Sequence, residues 1–296
     1  MAMGGFAHTP VLAEAIVEAL AVRPGGRYVD GTIGGGGHAA GILTACAPDG
    51  WLGGCDRDGA AVKAASSRLT PFASRWEIRQ GAFESLADWI AQGSVDGVLL
   101  DLGVSSPQLD LPERGFSFAA EGPLDMRMDD RQELTAAGLV NEMAEEDMAK
   151  LIWEMGGETK SRRIARAIVL ARKMCLLETT VQLAEVIEQA VPRRGARRHP
   201  ATRTFQALRM EVNDEVGTLR RGLAVTADLL RPGGRLVTIT FHGIEARIIK
   251  EFGDSAVRAE MPVLRWIRRK SIKPDAMERE ANPRARSAQL RILEKI

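Results

Sequence analysis

Along the first hundred residues the apolar positions switch repeatedly between helical and extended spacing. Val11, Leu12, Ala15, Ile16, Ala19 and Leu20 share one helical face, which predicts a helix over 11–21 with Thr9 as its cap and Pro10 in its first turn. Arg23-Pro24-Gly25-Gly26 breaks the chain. The run Tyr28-Val29-Asp30 then reads as a short strand ending in an acid, followed by Gly31, Gly34, Gly35, Gly36, Gly37 and His38 and by the helix-forming Ala39 to Leu43. Two further segments repeat the theme of an extended run closed by an acid: Trp51 to Asp56, and Val95 to Asp101. Between them lie a helical stretch, Ala60 to Leu69, and a third strand, Trp76 to Arg79. Strands alternating with helices predict a parallel, doubly wound sheet.

The alternation stops near Ser105-Ser106-Pro107. From Leu134 to about Asp228 the spacing is helical, with segments at Ala144 to Glu154, Arg163 to Lys173, Val181 to Ala190 and Phe205 to Leu230. The β pattern resumes after the turn Arg231-Pro232-Gly233-Gly234, with a strand over Arg235 to Phe241 and a helix over Glu245 to Phe252. Two more strand candidates follow, Ala256 to Trp266 and Ala288 to Leu293, separated by a polar loop containing Pro274 and Pro283. The simplest organisation is one discontinuous α/β domain, residues 1–105 and 210–296, interrupted by an all-α insertion over 106–209.

Composition narrows the function classes. A chain of 296 residues with 45% hydrophobic residues can bury a substantial core, and a net charge of +1 means that nucleic-acid binding has to come from local arginine clusters. Cys46, Cys55 and Cys175 are widely spaced and include no C-x-x-C pair, which argues against a disulfide framework and against a zinc site, so no metal is expected. No apolar run reaches the roughly 18 residues of a membrane helix, and no basic segment followed by an apolar one opens the chain, so a cytoplasmic protein is expected.

The glycine joint is the first candidate site. Glycines after a strand let backbone approach a ligand, and the first N–H groups of the following helix point at it. Asp56 lies 20 residues after Gly36, where a carboxylate can receive ribose hydroxyls; alternatively it caps the helix beginning near Asp58. Asp101, Ser105 and Ser106 follow the fourth strand, where open α/β sheets place chemistry, and could hold the N–H groups of an amine. Equally, the acid could cap a loop and the serines form a turn with Pro107. Arg193, Arg194, Arg197, Arg198, His199, Arg203 and Arg209 form one basic cluster, and Arg265, Arg268, Arg269 and Lys270 beside Trp266 a second. Either would attract phosphates, or simply be a solvated face.

Longer strings carry a resemblance. His8-Thr9-Pro10-Val11-Leu12, Asp30-Gly31-Thr32 with Gly36-Gly37-His38, Asp56-Arg57-Asp58, the run from Leu99 to Asp110, and Arg114-Gly115-Phe116-Ser117-Phe118 resemble the small-subunit ribosomal RNA methyltransferase H family, also called MraW. So do Gly122 to Met128, His199 to Ala207 and Asn282 to Ser287. The resemblance runs nearly end to end. It implies a class I, Rossmann-like methyltransferase that uses S-adenosylmethionine to methylate the N4 amine of a cytidine in the decoding region of 16S ribosomal RNA, within a small-subunit particle. Carried over, it assigns cofactor contacts to Gly36, Gly37, His38, Asp56, Phe83, Asp101 and Gln108. Asp101, Ser105 and Ser106 are then the catalytic candidates, with Arg193, Arg194, Arg197, Arg198, Arg203 and His242 toward RNA. Two departures stand out: Ile33 and Gly35 replace a bulky and a basic residue in the glycine loop, and Phe241-His242-Gly243-Ile244-Glu245-Ala246 replaces an F-H-S-L-E-D run. A DNA amino-methyltransferase is the alternative enzyme, opposed by the absence of an N/D-P-P-Y string; a cofactor-binding RNA or assembly factor with little turnover is the alternative of another class. An NAD-dependent enzyme has only Arg57 beside Asp56 in its favour.

Overall fold

The computed structural model describes residues 10–193 and 198–296; Thr9, the expected cap of the first helix, lies outside the described residues, as do His8, Arg194 and Arg197. The chain divides into two compact units. One comprises the chain up to Gly103 together with Val216 onward, and the other runs from Val104 to Glu215.

In the first unit, helix α1 (Ala13–Ala19) precedes β1 (Arg27–Asp30), the glycine loop, α2 (Gly37–Ala45), β2 (Trp51–Asp56), α3 (Gly59–Leu69), β3 (Trp76–Gln80) and β4 (Val95–Asp101). The sheet order is β3-β2-β1-β4, continued by β5 (Leu230–Thr240), β7 (Gln289–Lys295) and β6 (Leu264–Trp266). All pairings through β5 are parallel, while β7 runs antiparallel to both its neighbours, so the expected doubly wound, mostly parallel sheet is present. Its central strands β1, β4 and β5 are largely buried because both faces are covered there, whereas the edge strand β3 is half-exposed. Leu99, Val237 and Ile239 join Ile16, Ile42, Leu43 and Leu69 in one core layer, whereas the intervening Val98, Leu100 and Leu236 join Leu219, Leu223 and Ile249 in the other. Successive strand residues thus feed opposite layers, as a pleat requires.

From β1 the chain winds outward through β2 and β3, then returns to the other side of β1 with β4. The strand order therefore reverses between β1 and β4, which opens a crevice at their carboxyl ends. Gly31 N–H donates to Leu99 O at 2.9 Å, carrying the β1–β4 ladder one step past the strand.

The second unit is helical: α4 (Ser106–Asp110), α5 (Ala136–Glu142), α6 (Glu145–Glu154), α7 (Ser161–Met174), α8 (Thr180–Ala190) and α9 (Ala201–Val212). Leu139, Ile152, Ile164, Ile168, Leu183, Ile187 and Leu208 build its core. Among the described residues no helix is long and apolar enough to cross a membrane.

Several elements differ from the sequence expectation. Phe205 to Leu230 is not one helix. α9 stops at Asn213, whose side-chain amide donates to Met126 O at 2.8 Å while its Oδ1 accepts from Met128 N–H at 2.7 Å; Asp214 turns left-handed at φ 43°, and α10 (Glu215–Leu229) begins anew. The expected strand over 256–266 is reduced to β6, because α11 (Gly243–Arg258) continues through its first residues and buries Gly253 against Trp266. The polar loop before β7 holds a further helix, α12 (Ala276–Ala281), and the 231–234 turn lies within β5, with Gly233 at φ 80°. The first helix starts two residues late: Leu12 is left-handed at φ 56°, and its N–H donates to Glu278 Oε1.

Phe83, just after β3, is fixed by two glycines. A Cβ on Gly31 would lie 2.8 Å from Phe83 Cβ, and one on Gly222 of α10 would overlap the Phe83 ring. Gly222→Ala is expected to lower unfolding stability in urea by about 1–3 kcal/mol through overpacking. Gly41→Ala in α2, where a Cβ meets nothing within 4 Å, is expected to be neutral or to raise it by up to about 1 kcal/mol.

Candidate active site

The crevice is built from three strand-ending acids and the glycine loop. Asp30 Oδ1 accepts from Thr32 N–H at 3.1 Å. Asp56 at the end of β2 uses both oxygens: Oδ2 accepts from Gly34 N–H and Oδ1 from Asp58 N–H, each at 2.9 Å. The cap of α3 is Asp58, which accepts from Ala60 N–H at 2.9 Å. Asp56 therefore shapes the loop, and its oxygens each retain a second lone pair for further donors.

Asp101 closes β4. Its backbone N–H donates to Thr32 Oγ1 at 2.6 Å, its Oδ2 lies 3.5 Å from His38 Nε2, and its Oδ1 is buried with no hydrogen-bond partner. Buried acceptors are nearly always paired, so an orphaned carboxylate oxygen at the mouth of a crevice marks a place for a donor. The first acid is reluctant to ionise: burial pushes the Asp30 carboxyl up to about 7, against the lowering effects of His38 and the Thr32 N–H. Burial likewise raises Asp56 to about 6, although the N–H groups of Asp58 and Gly34 pull it down. For His38, burial disfavours the imidazolium, but Asp101, Asp30 and Glu278 outweigh it and the net shift is upward.

Packing accounts for several glycines of the joint. Gly36 is left-handed at φ 76° and approaches α3 so closely that a Cβ would meet Ala65 Cα at 3.1 Å; a Cβ on Gly37 would lie 2.6 Å from Pro10 Cγ. The Phe83 ring belongs to the buried core and Phe83 as a whole is only 7% exposed. The His38 imidazole, 9% exposed, faces Asp101. Thr32, passed over in the sequence as a loop residue, joins the glycine loop to β4; its signal was a hydroxyl two positions past a strand-ending acid.

The other sequence candidates lie on further elements. Ser105, Ser106 and Gln108 belong to the second unit, where Ser105 caps α4 and its N–H donates to Gln108 Oε1 at 3.0 Å. His242, in the first unit, caps α11: Nδ1 accepts from Glu245 N–H at 3.5 Å, and Nε2 lies 3.1 Å from Glu245 Oε1. Glu245 Oε2 in turn accepts from the N–H of Phe241 at 2.8 Å. Arg193 and Arg198 are exposed, and Arg203 reaches Glu158 at 3.5 Å. Within the same stretch, Arg209 is committed to a bidentate pair with Glu215 at 2.6 and 2.7 Å, each side chain only 14% exposed, which removes it from the set available to phosphates. Arg265 is similarly tied to Glu294 at 3.0 Å, leaving Arg268, Arg269 and Lys270 exposed in the second cluster.

The model of the MraW methylase family matches residues 5–296. The chain belongs to the MraW methylase family. Among curated relatives, "Ribosomal RNA small subunit methyltransferase H" of Symbiobacterium thermophilum is 49% identical over 309 residues, covering 98% of this chain and 97% of that protein. The protein of the same name from Geobacter sulfurreducens is 48% identical over 310 residues, covering 98% and 99%. Among solved structures, PH0851 superposes with a TM-score of 0.51 at 14% identity, over 97% of this chain and 46% of that one, a likeness of fold alone. As a member of the MraW family the chain is an S-adenosylmethionine-dependent methyltransferase. Its crevice suits such a cofactor: the orphaned Asp101 oxygen, the spare lone pairs of Asp56 and the excess of carboxylates favour a ligand that carries positive charge and hydroxyl or ammonium donors.

The raised Asp30 carboxyl predicts a pH-dependent stability. A carboxyl with a folded value of about 7, above its ordinary 3.8, contributes stability below the unfolded value that is lost as pH rises through about 7. Asp30→Asn, which keeps the acceptor for Thr32 N–H, is expected to raise the urea midpoint relative to wild type at pH 8, with the gain shrinking toward pH 5. Equal differences at both pH values would show that Asp30 is not strained by its charge.

Proposed function

We propose that this methyltransferase modifies the N4 amine of a cytidine in 16S ribosomal RNA, acting in the cytoplasm on a small-subunit particle. The observation that carries the site assignment is the buried, unpartnered Asp101 Oδ1 at the β1–β4 crevice. The RNA substrate is supported by the name that the curated relatives bear at nearly full length.

S-adenosylmethionine, when bound, supplies an electrophilic methyl on a sulfonium. Asp56 would receive the ribose hydroxyls, Gly36, Gly37 and the N-terminal turn of α2 would lie along the cofactor, and Phe83 would offer its remaining ring edge to the adenine, with Gln108 a further contact. Asp101 accepts a hydrogen bond from the target amine, whose lone pair is delocalised into the base. Fixing an N–H turns that nitrogen toward in-line attack, which is a matter of orientation more than of basicity. Ser105 and Ser106 are the neighbouring hydroxyls in the chain and supply further acceptors. A crevice lined by Asp30, Asp56 and Asp101 is hostile to a pyrophosphate, which argues against a nicotinamide cofactor.

In this reading the discontinuous domain, residues 1–105 and 210–296, binds the cofactor, and the helical insertion, 106–209, recognises RNA. A base must leave its stack to be modified, and a single-stranded loop is the usual target of sequence-specific RNA recognition. Arg193, Arg198 and Arg203, with Arg194 and Arg197 of the same cluster, are assigned to phosphates, and His242 to the RNA side.

The test is transfer of labelled methyl from S-adenosylmethionine to small-subunit particles lacking this mark. Wild-type protein is expected to label the particles, and Asp101→Ala to lose at least about 100-fold in kcat. Label entering DNA instead of particles would select the DNA enzyme, and cofactor binding by calorimetry without transfer to any RNA would select the binding factor.

A further inference from the structure

The His38 side chain is recessed in the first turn of α2, yet no hydrogen bond of good geometry satisfies its Nε2. The charged groups that act on it come from three elements, Asp30 from β1, Asp101 from β4 and Glu278 from α12, and the Arg68 guanidinium of α3 lies beside the neighbouring Gly37. Of the three carboxylates that favour its charge, Asp101 is the one within reach of the imidazole. Asp101 is approached from two sides: Thr32 Oγ1 fixes its backbone N–H at 2.6 Å, and His38 Nε2 stands 3.5 Å from Oδ2. Oδ1, by contrast, is buried with no hydrogen-bond partner.

We propose that His38 is a positioning residue: its imidazole, set 3.5 Å from Oδ2 of Asp101, keeps that carboxylate turned so that Oδ1 is presented to the target amine. The inference rests on the functional reading above for what Asp101 holds. It separates two roles within the glycine joint, giving the cofactor to the backbone of Gly36 and Gly37 and the acceptor carboxylate to the His38 side chain. The arrangement has a direction in pH. The imidazolium is present below the raised His38 midpoint and is lost as pH rises through it, so the acceptor is best held on the acid side of that midpoint.

The pairing can be measured without substrate or cofactor. The chain has 4 histidines, so the imidazole resonances are assignable by single substitutions. In the cofactor-free protein the His38 midpoint is expected above the ordinary histidine value, and Asp101→Asn is expected to lower it by about 1 unit or more. An unchanged midpoint in Asp101→Asn would overturn the pairing. In the methylation assay, His38→Gln, which keeps a donor but no charge, is expected to lower kcat by about 10- to 100-fold with KM for S-adenosylmethionine changed less than about twofold, and to lose the alkaline fall of kcat expected of wild type. A raised KM for the cofactor at unchanged kcat would overturn the proposal in favour of a direct cofactor contact. Calorimetric binding of S-adenosylmethionine and thermal unfolding of each variant show whether it has folded. His38→Lys, which restores a cation, serves as a second variant; recovery of kcat relative to His38→Gln supports the charge, and a further loss in a folded, cofactor-binding protein opposes it. A wild-type protein that methylates nothing would sink the functional reading, whereas the titration decides the His38–Asp101 pair in either case.

Discussion

Parallel strands bring their carboxyl ends to one edge of a sheet, and here acids end three of the four strands nearest the switch point. That concentration of negative charge is the constraint on which the rest of the crevice depends. Partly desolvated carboxylates are costly unless donors surround them. The glycine loop answers with backbone N–H groups, Thr32 for Asp30 and Gly34 for Asp56, and Asp58 contributes its own N–H to Asp56. Compensation is incomplete, as the elevated Asp30 and Asp56 carboxyls show. Electrostatic strain of this kind is common where a protein must receive a ligand of opposite sign.

The same constraint explains why the loop is rich in glycine without fitting the spacing used for pyrophosphate. Its backbone has to fold back over its own carboxylates while letting α2 pack against α3 at Gly36 and against Pro10 at Gly37. Glycine serves packing at these two positions as much as ligand access. The family resemblance names the ligand; the local geometry explains why a cationic ligand, and not a phosphate, suits the place.

Much of this was legible in the sequence, because buried parallel strands leave an unmistakable trace: short apolar runs closed by an acid at Asp30, Asp56 and Asp101. What was illegible depended on contacts between distant residues. The break between α9 and α10 keeps its apolar periodicity, so spacing alone reads through it; it is enforced by Asn213 reaching Met126 and Met128, more than eighty residues earlier in the chain, with separations of 87 and 85 residues. Without that break, Arg209 has no visible partner and looks free to meet phosphate. Once the chain turns, Glu215 comes within bidentate reach. The His38–Asp101 approach is of the same kind, since nothing near either residue in sequence announces the other. The extra length of α11 was missed for a different reason: Ala256 and Val257 suit strand and helix alike, and their packing beside Trp266 in the same core layer decided the matter.

The central pairing of β4 with β5 also bears on how the molecule assembles. Val95 pairs with Leu230 and Asp101 with Ile239, so the two strands meet across the whole intervening helical unit. Strands β1, β2 and β3 are joined by short connections and can associate early, whereas the β4–β5 ladder must close a long loop before its contacts repay the entropy lost. A loop that has already collapsed around its own core, here Leu139, Ile152, Ile164 and Ile187, behaves as a much shorter tether. The insertion's own core thus bears on its host: a condensed helical unit brings the ends of β4 and β5 nearer than an extended chain of the same length would, which lowers the entropy cost of closing that ladder.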